Sequence, residues 1–272
     1  MLKQRLLTAL IAIPIIVALT LFAPRGVVGG VLGAVVLAGA WEWAAFAGYA
    51  ATSAKSLYLL LTAAFLVVCG FTLQIPDFAA AVIAVGIAWW LLVTVGIIRF
   101  GRGRDGGLAA DMSSMLIGLC GLLTLIPAWE AAMGLRGMAD GTGRLFFLLV
   151  LIWVADSGAY AAGRLWGRRR LAPRISPGKT WEGVGGGLVS AAIVGVGGGL
   201  YFGWPLKYFV PICILTAIFS IIGDLSESLF KRLIGIKDSG NIFPGHGGVL
   251  DRFDSLSAAA PVFYVCLWAL SL

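Results

Sequence analysis

Charge is scarce in this chain. Asp, Glu, Lys and Arg make up 12% of its 272 residues, about half the share of a soluble domain. So few charged groups leave little to cover a folded surface in water. Histidine occurs once. The four cysteines, Cys69, Cys120, Cys213 and Cys266, each stand alone in an apolar run, with no Cys-x-x-Cys pair. That spacing implies neither a zinc site nor a disulfide framework, and free cysteine in apolar surroundings reads as packing. Internal repeats and low-complexity tails are absent. The net charge of +7 could point to nucleic acid. The basic residues instead fall in short loops between apolar runs, the placement expected of a membrane protein, so no nucleic-acid partner is expected.

What the chain does contain is length after length of apolar sequence. It is 60% hydrophobic, with a mean hydropathy of +0.98. A helix needs about 20 apolar residues to cross the hydrocarbon core. Nine runs qualify: Leu6–Ala23, Val27–Ala47, Leu57–Leu73, Phe78–Ile98, Met112–Ala131, Leu145–Gly163, Gly183–Gly203, Tyr208–Leu225 and Leu256–Leu272. The fold class expected is an all-α transmembrane bundle of about nine spans, with the last ones interrupted around a polar cavity. Residues 1–105 read as N-terminal membrane segments and 106–272 as the catalytic membrane region of one unit. The first run also fits a signal peptide, but it is long for one and more spans follow, so it reads as a retained span.

Orientation follows from the basic residues. With the N-terminus inside, 16 of the 20 Lys and Arg fall on the inner side. The outer side keeps Arg25, Arg136, Arg144 and Lys207. Such a bias places the N-terminus and the inner loops in the cytoplasm, in a bacterial-type inner membrane. Gly183–Gly187 and Gly195–Gly199 have Gly-x-x-x-Gly spacing, which reads as close helix packing.

The chemistry concentrates late in the chain. Asp224, Glu227, Asp238, Asp251 and Asp254 fall within 31 residues, together with Lys231, Arg232, Lys237, His246 and Arg252. Ionisable residues beside membrane spans are costly and mark function. On a helix, Asp224, Ser228 and Lys231 form one stripe. The carboxylate and hydroxyl suit magnesium, and the lysine suits a phosphate. Snorkelling at a helix end explains Lys231 and Arg232 equally well, but explains Asp224 poorly. Asp251 and Asp254 share a face at the start of the last helix. Two carboxylates so close repel unless a cation lies between them, and with no histidine or cysteine cluster nearby that cation should be a hard one. The glycines around His246 would let backbone amides approach an anion; for His246 itself a structural role and a substrate role weigh equally.

A third polar patch runs from Asp156 to Tyr160, through Arg168–Arg170, to Ser176-Pro-Gly-Lys-Thr180. Gly178-Lys179-Thr180 lacks the first glycine of a P-loop, because residue 173 is Pro173. Lys179, just ahead of a span, reads as a phosphate ligand. Asp156 either orients a lysine, joins a metal or pairs with an arginine. Glu42, between Trp41 and Trp43, reads as an interfacial residue.

At this point a resemblance is visible. Ser228-x-Phe-Lys-Arg232, four residues, then Lys237-Asp-x-Gly-x-x-Phe-Pro-x-His246-Gly-Gly-Val-x-Asp251-Arg-Phe-Asp254 resembles the signature of phosphatidate cytidylyltransferases. The match covers 27 consecutive residues. Asp156-Ser-Gly-Ala-Tyr160 and Ser176-Pro-Gly-Lys-Thr-Trp-Glu-Gly183 are similar to that family's earlier motifs, with Gly178 where many members carry lysine. The resemblance implies a multi-span membrane enzyme, a homodimer, that joins CTP and phosphatidate to give CDP-diacylglycerol and pyrophosphate with magnesium. It implies one or two divalent ions, or one with a monovalent cation. On this reading Asp224, Asp251, Asp254, Lys231 and His246 are catalytic. Asp224, Ser228, Asp251 and Asp254 hold metal. Ser176, Lys179, Thr180, Arg232, Lys237, Arg252 and Asp156 bind phosphates, nucleotide or lipid headgroup.

Three other functions compete. A CDP-alcohol phosphatidyltransferase needs more of its motif than Asp140-Gly141-Thr-Gly-Arg144 supplies. A CTP-dependent polyprenol or dolichol kinase shares nucleotide and setting but would release CDP. A transporter would put charge deep in several spans, for which this sequence offers Glu42 and Glu130.

Overall fold

The computed structural model describes residues 2–103, 112–235, 240 and 247–272, with side chains described from Leu10 onward except at residue 76. Among these residues the chain forms helices α1 (Leu2–Phe22), α2 (Arg25–Phe46), α3 (Thr52–Thr72), α4 (Pro76–Gly101), α5 (Ser114–Gly137) and α6 (Gly141–Trp166). A short antiparallel ribbon of β1 (Arg170–Ala172) and β2 (Ser176–Thr180) follows. Helices α7 (Trp181–Phe202), α8 (Leu206–Leu233) and α9 (Leu250–Ala269) complete the fold. Among the described residues, this ribbon departs from the all-α fold expected.

Seven helices, α2 to α8, are long and apolar enough to cross a membrane. Of α1, the described apolar part is the shorter Leu10–Phe22. Helix α9 carries Asp251, Arg252 and Asp254 in its opening turns. Their outer faces present large apolar side chains such as Leu60, Phe71, Leu92, Ile193 and Leu200. In water each would leave about 1.5–3 kcal/mol of burial ungained, so lipid is the solvent these faces suit.

Local signals explain the helix ends. Pro76 opens α4, where its missing N–H is no loss. Ser113 and Thr180 cap α5 and α7 through their side chains. Gly203, at φ 69°, ends α7 in the left-handed region that glycine tolerates. Helix α5 is the hub, packed on α2, α3, α4, α6 and α9. Its buried face carries Leu125, Ala128, Ala131 and Leu135. Helices α6 and α7 pack most closely, because α7 presents glycine: a Cβ on Gly186 would stand 2.3 Å from that of Ala162. A Cβ on Gly183 or Gly187 would likewise crowd Ala159 O or Ala155 O, at 2.9 and 3.1 Å, so that spacing serves packing, as expected. Cys69, Cys120 and Cys213 are buried and Cys266 half-buried.

The helices alternate in direction, and long-range contacts group their ends. At one end, Tyr49 after α2 donates to Ser114 O at the start of α5, and Arg174 of the ribbon donates to Phe100 O at the end of α4. At the other end, Arg25 donates to Met133 O and Arg136 to Ala23 O. Arg144 donates to Leu272 O and covers the Trp204 ring at 4.9 Å. Three of the four basic residues expected outside thus donate to backbone carbonyls near helix ends at this end of the bundle.

Candidate active site

The late helices bring their charged residues to the same end as the ribbon. Helix α8 runs without a break from Leu206 to Leu233, so Asp224, Glu227, Ser228 and Lys231 sit on one rigid element. The ribbon lies across its end: Arg232 Nε donates to Ile175 O at 3.2 Å. Glu182, in the first turn of α7, accepts from the amides of Arg168 and Arg169 at 3.0 and 3.2 Å. Thr180 Oγ1 accepts from Gly183 N at 3.1 Å. Thr180 and Glu182 of the Ser176–Gly183 motif thereby fix the ribbon, and the ribbon aims Lys179.

Lys179 Nζ stands 2.5 Å from Asp224 Oδ2. The pair lies on the wall of a cavity of about 430 Å³, lined also by Asp156, Tyr160, Arg164, Thr180 and Ile221. Arg164 donates to Tyr160 Oη at 2.8 Å on its rim. Asp156 and Asp254 both lie within electrostatic reach of Asp224 and Lys179. Of these three carboxylates, Asp224 is the one paired with Lys179. A second cluster adjoins it. Lys231 Nζ is 2.7 Å from Asp251 Oδ1 and 3.2 Å from Glu227 Oε1; the latter contact is ionic rather than a directed hydrogen bond. Asp251 Oδ2 also accepts from Gly248 N at 2.7 Å. Glu227 lies against both Asp251 and Asp254 and so joins the two clusters. Helix α9 meets α8 at Gly223, where a Cβ would strike Asp254 O.

This arrangement changes several expectations. Of the three aspartates expected to hold metal, Asp224 pairs with Lys179 and Asp251 with Lys231, and Asp254 lies within electrostatic reach of Asp224. Among the described residues, no three acidic, histidine or cysteine side chains converge as a ready shell. The physical reason is that each lysine already neutralises the nearest carboxylates. The oxygen-only donors still fit magnesium, which keeps several waters and takes one or two carboxylates plus substrate phosphates. Ser228 is half-buried on α8 and does not line the cavity. Thr180 has its hydroxyl engaged as a helix cap, and Ser176 stands at the far end of β2. Arg252 is exposed in the first turn of α9. Asp156 lies well inside α6, ten residues before its end. Lys237 and His246 lie outside the described residues.

Glu42 corrects the reading as an interfacial residue. It is 3% exposed, and its carboxylate accepts from Val249 N and Leu250 N, both at 2.9 Å. Glu227 was not singled out as a site residue, although it is 5% exposed at the junction of both clusters. Its place one turn before Lys231 was the available signal.

The sequence profile of the cytidylyltransferase family matches residues 3–270. A phosphatidate cytidylyltransferase of Pseudomonas aeruginosa is 42% identical over 99% of this chain and 98% of its own length. One from Haemophilus influenzae is 34% identical over 97% of each. One from Bacillus subtilis is 45% identical over 47% of this chain and 48% of its own. With the profile and two relatives spanning nearly the whole sequence, the chain belongs to the cytidylyltransferase family.

Proposed function

We propose that the protein transfers the cytidylyl group of CTP to phosphatidate, releasing pyrophosphate and forming CDP-diacylglycerol for phospholipid synthesis. The observation that carries this reading is the Lys179–Asp224 pair on a cavity wall, in a chain aligned end to end with a phosphatidate cytidylyltransferase. The cavity volume falls within the range of about 300–1,000 Å³ usual for small-molecule sites.

A phosphatidate phosphate oxygen attacks the α-phosphorus of CTP. The bond from that phosphorus to the bridging oxygen breaks, and pyrophosphate leaves with the electron pair. Both reactants are anions, so the protein's work is to position them and offset their charge. Lys179 would leave Asp224 for a phosphate oxygen. Lys231, Arg232 and Arg252 lie at the same end of the bundle and, with Lys237, would bind the remaining phosphates. Asp224 and Asp254 would hold magnesium, with Ser228 and Asp251 adjoining. That ion, when bound, would neutralise charge on the transferring phosphate. His246 would bind a phosphate, since an already ionised nucleophile needs no base.

The charge bias and the grouping of helix ends support a cytoplasmic site and N-terminus, with α1 and α9 as further spans. The family resemblance supports a homodimer. The test is purified protein with α-labelled CTP, phosphatidate and magnesium. Label should enter lipid as pyrophosphate appears. A lipid labelled only from the γ-position, with CDP released, would instead mean a kinase.

A further inference from the structure

Helix α9 has no side-chain cap at Val249, and its own Asp251 accepts from the amide of Gly248. The residues just before Val249 are Gly247 and Gly248. The first amides are met from far along the chain. Glu42, in the last turns of α2, accepts from Val249 N and Leu250 N. The same carboxylate lies under a second stretch of backbone, because a Cβ on Gly240 would come within 2.4 Å of Glu42 Oε1. One buried carboxylate therefore underlies both Gly240 and the start of α9.

The element that carries Glu42 is firmly held. Its neighbour Trp43 donates to Ile117 O at 2.7 Å and packs edge-on against Phe230 of α8, with ring centroids 5.0 Å apart. From this anchor Glu42 fixes where α9 begins, and the opening turns of α9 carry Asp251 and Asp254. Asp251 reaches Lys231, and Asp254, whose backbone packs on Gly223 of α8, lies within electrostatic reach of Asp224 and Glu227. A shift of α9 along or about its axis would move both carboxylates against α8.

We infer that Glu42 is a positioning residue for cytidylyl transfer: by capping α9 it sets Asp251 and Asp254 against Lys231 and Asp224. This rests on the function proposed above, and its failure can be told apart from the failure of that reading. Wild-type protein, assayed in parallel for lipid labelled from α-labelled CTP, tests the function alone.

The variant is Glu42→Gln in the full chain, purified in detergent. Glutamine keeps the shape but offers a single acceptor oxygen to two donors, with an NH2 facing one of them. Displacements of about 1 Å cost on the order of 100-fold in rate, so kcat per folded molecule should fall at least about tenfold while KM for CTP stays unchanged. Gly240→Ala, which crowds Oε1 without removing it, should lower kcat in the same way. Where Glu42→Gln does not fold, Gly240→Ala decides in the same terms. An active wild type, with the folded variant turning over at its rate, would overturn the inference. So would a loss that follows melting temperature alone and disappears when rates are counted per folded molecule.

Discussion

Lys231 offers the sharpest perturbation of the charge arrangement. Its ammonium faces two carboxylates, Asp251 at 2.7 Å and Glu227 at 3.2 Å, and the three side chains are 15%, 13% and 5% exposed. Lys231→Met keeps the aliphatic stem and removes the charge. Two poorly solvated carboxylates are then left side by side. Breaking a buried ion pair from one side costs about 3–5 kcal/mol. The residual exposure of Lys231 and Asp251 favours the lower end, about 3 kcal/mol by the same reckoning. Against a total stability of about 5–15 kcal/mol, that is a large fraction. Glu227→Gln in the same molecule removes one of the stranded charges and should recover part of the loss. The coupling in a double-mutant cycle should be on the order of 1–3 kcal/mol. The assay is denaturant unfolding of detergent-purified protein, followed by tryptophan fluorescence, for wild type, both single variants and the double variant. Additive effects would refute the idea that Lys231 holds those two carboxylates together.

Two further outcomes follow from the same geometry. Asp251→Asn should still bind Gly248 N through its amide oxygen and fold, yet lose about 100-fold or more in turnover, the scale of removing one electrostatic partner of a reacting centre; pyrophosphate release measures it. Thr180→Ala should cost about 1 kcal/mol through loss of the α7 cap, whereas Thr180→Ser should restore it, as read from melting temperatures of the two variants.

The membrane architecture was legible in the sequence because hydropathy is a local signal: seven of the nine apolar runs coincide with helices long and apolar enough to cross. The polar cluster was legible because ionisable side chains are rare in this chain and gather late. What escaped was pairing at a distance. The amides that Glu42 caps lie 207 and 208 residues away, and backbone donors leave no trace in side-chain composition. The division of the aspartates escaped for a related reason. Helical spacing puts Asp251 and Asp254 on one face, but it does not say that Lys231 claims one and the Lys179 cluster the other. The ribbon was missed because Ser-Pro-Gly-Lys-Thr has no apolar alternation. It is held instead by Arg232 and Glu182 through main-chain contacts.

The central claim is that CTP phosphates are bound at the Lys179 end of the bundle. Equilibrium binding of CTP to purified protein in magnesium tests it, with Lys179→Met compared against Lys207→Met, whose side chain covers Tyr208 at the opposite end. Loss of one charged phosphate contact, about 1.5–3 kcal/mol, predicts at least about tenfold weaker binding for Lys179→Met and wild-type affinity for Lys207→Met. Equal affinity in all three proteins would contradict the account.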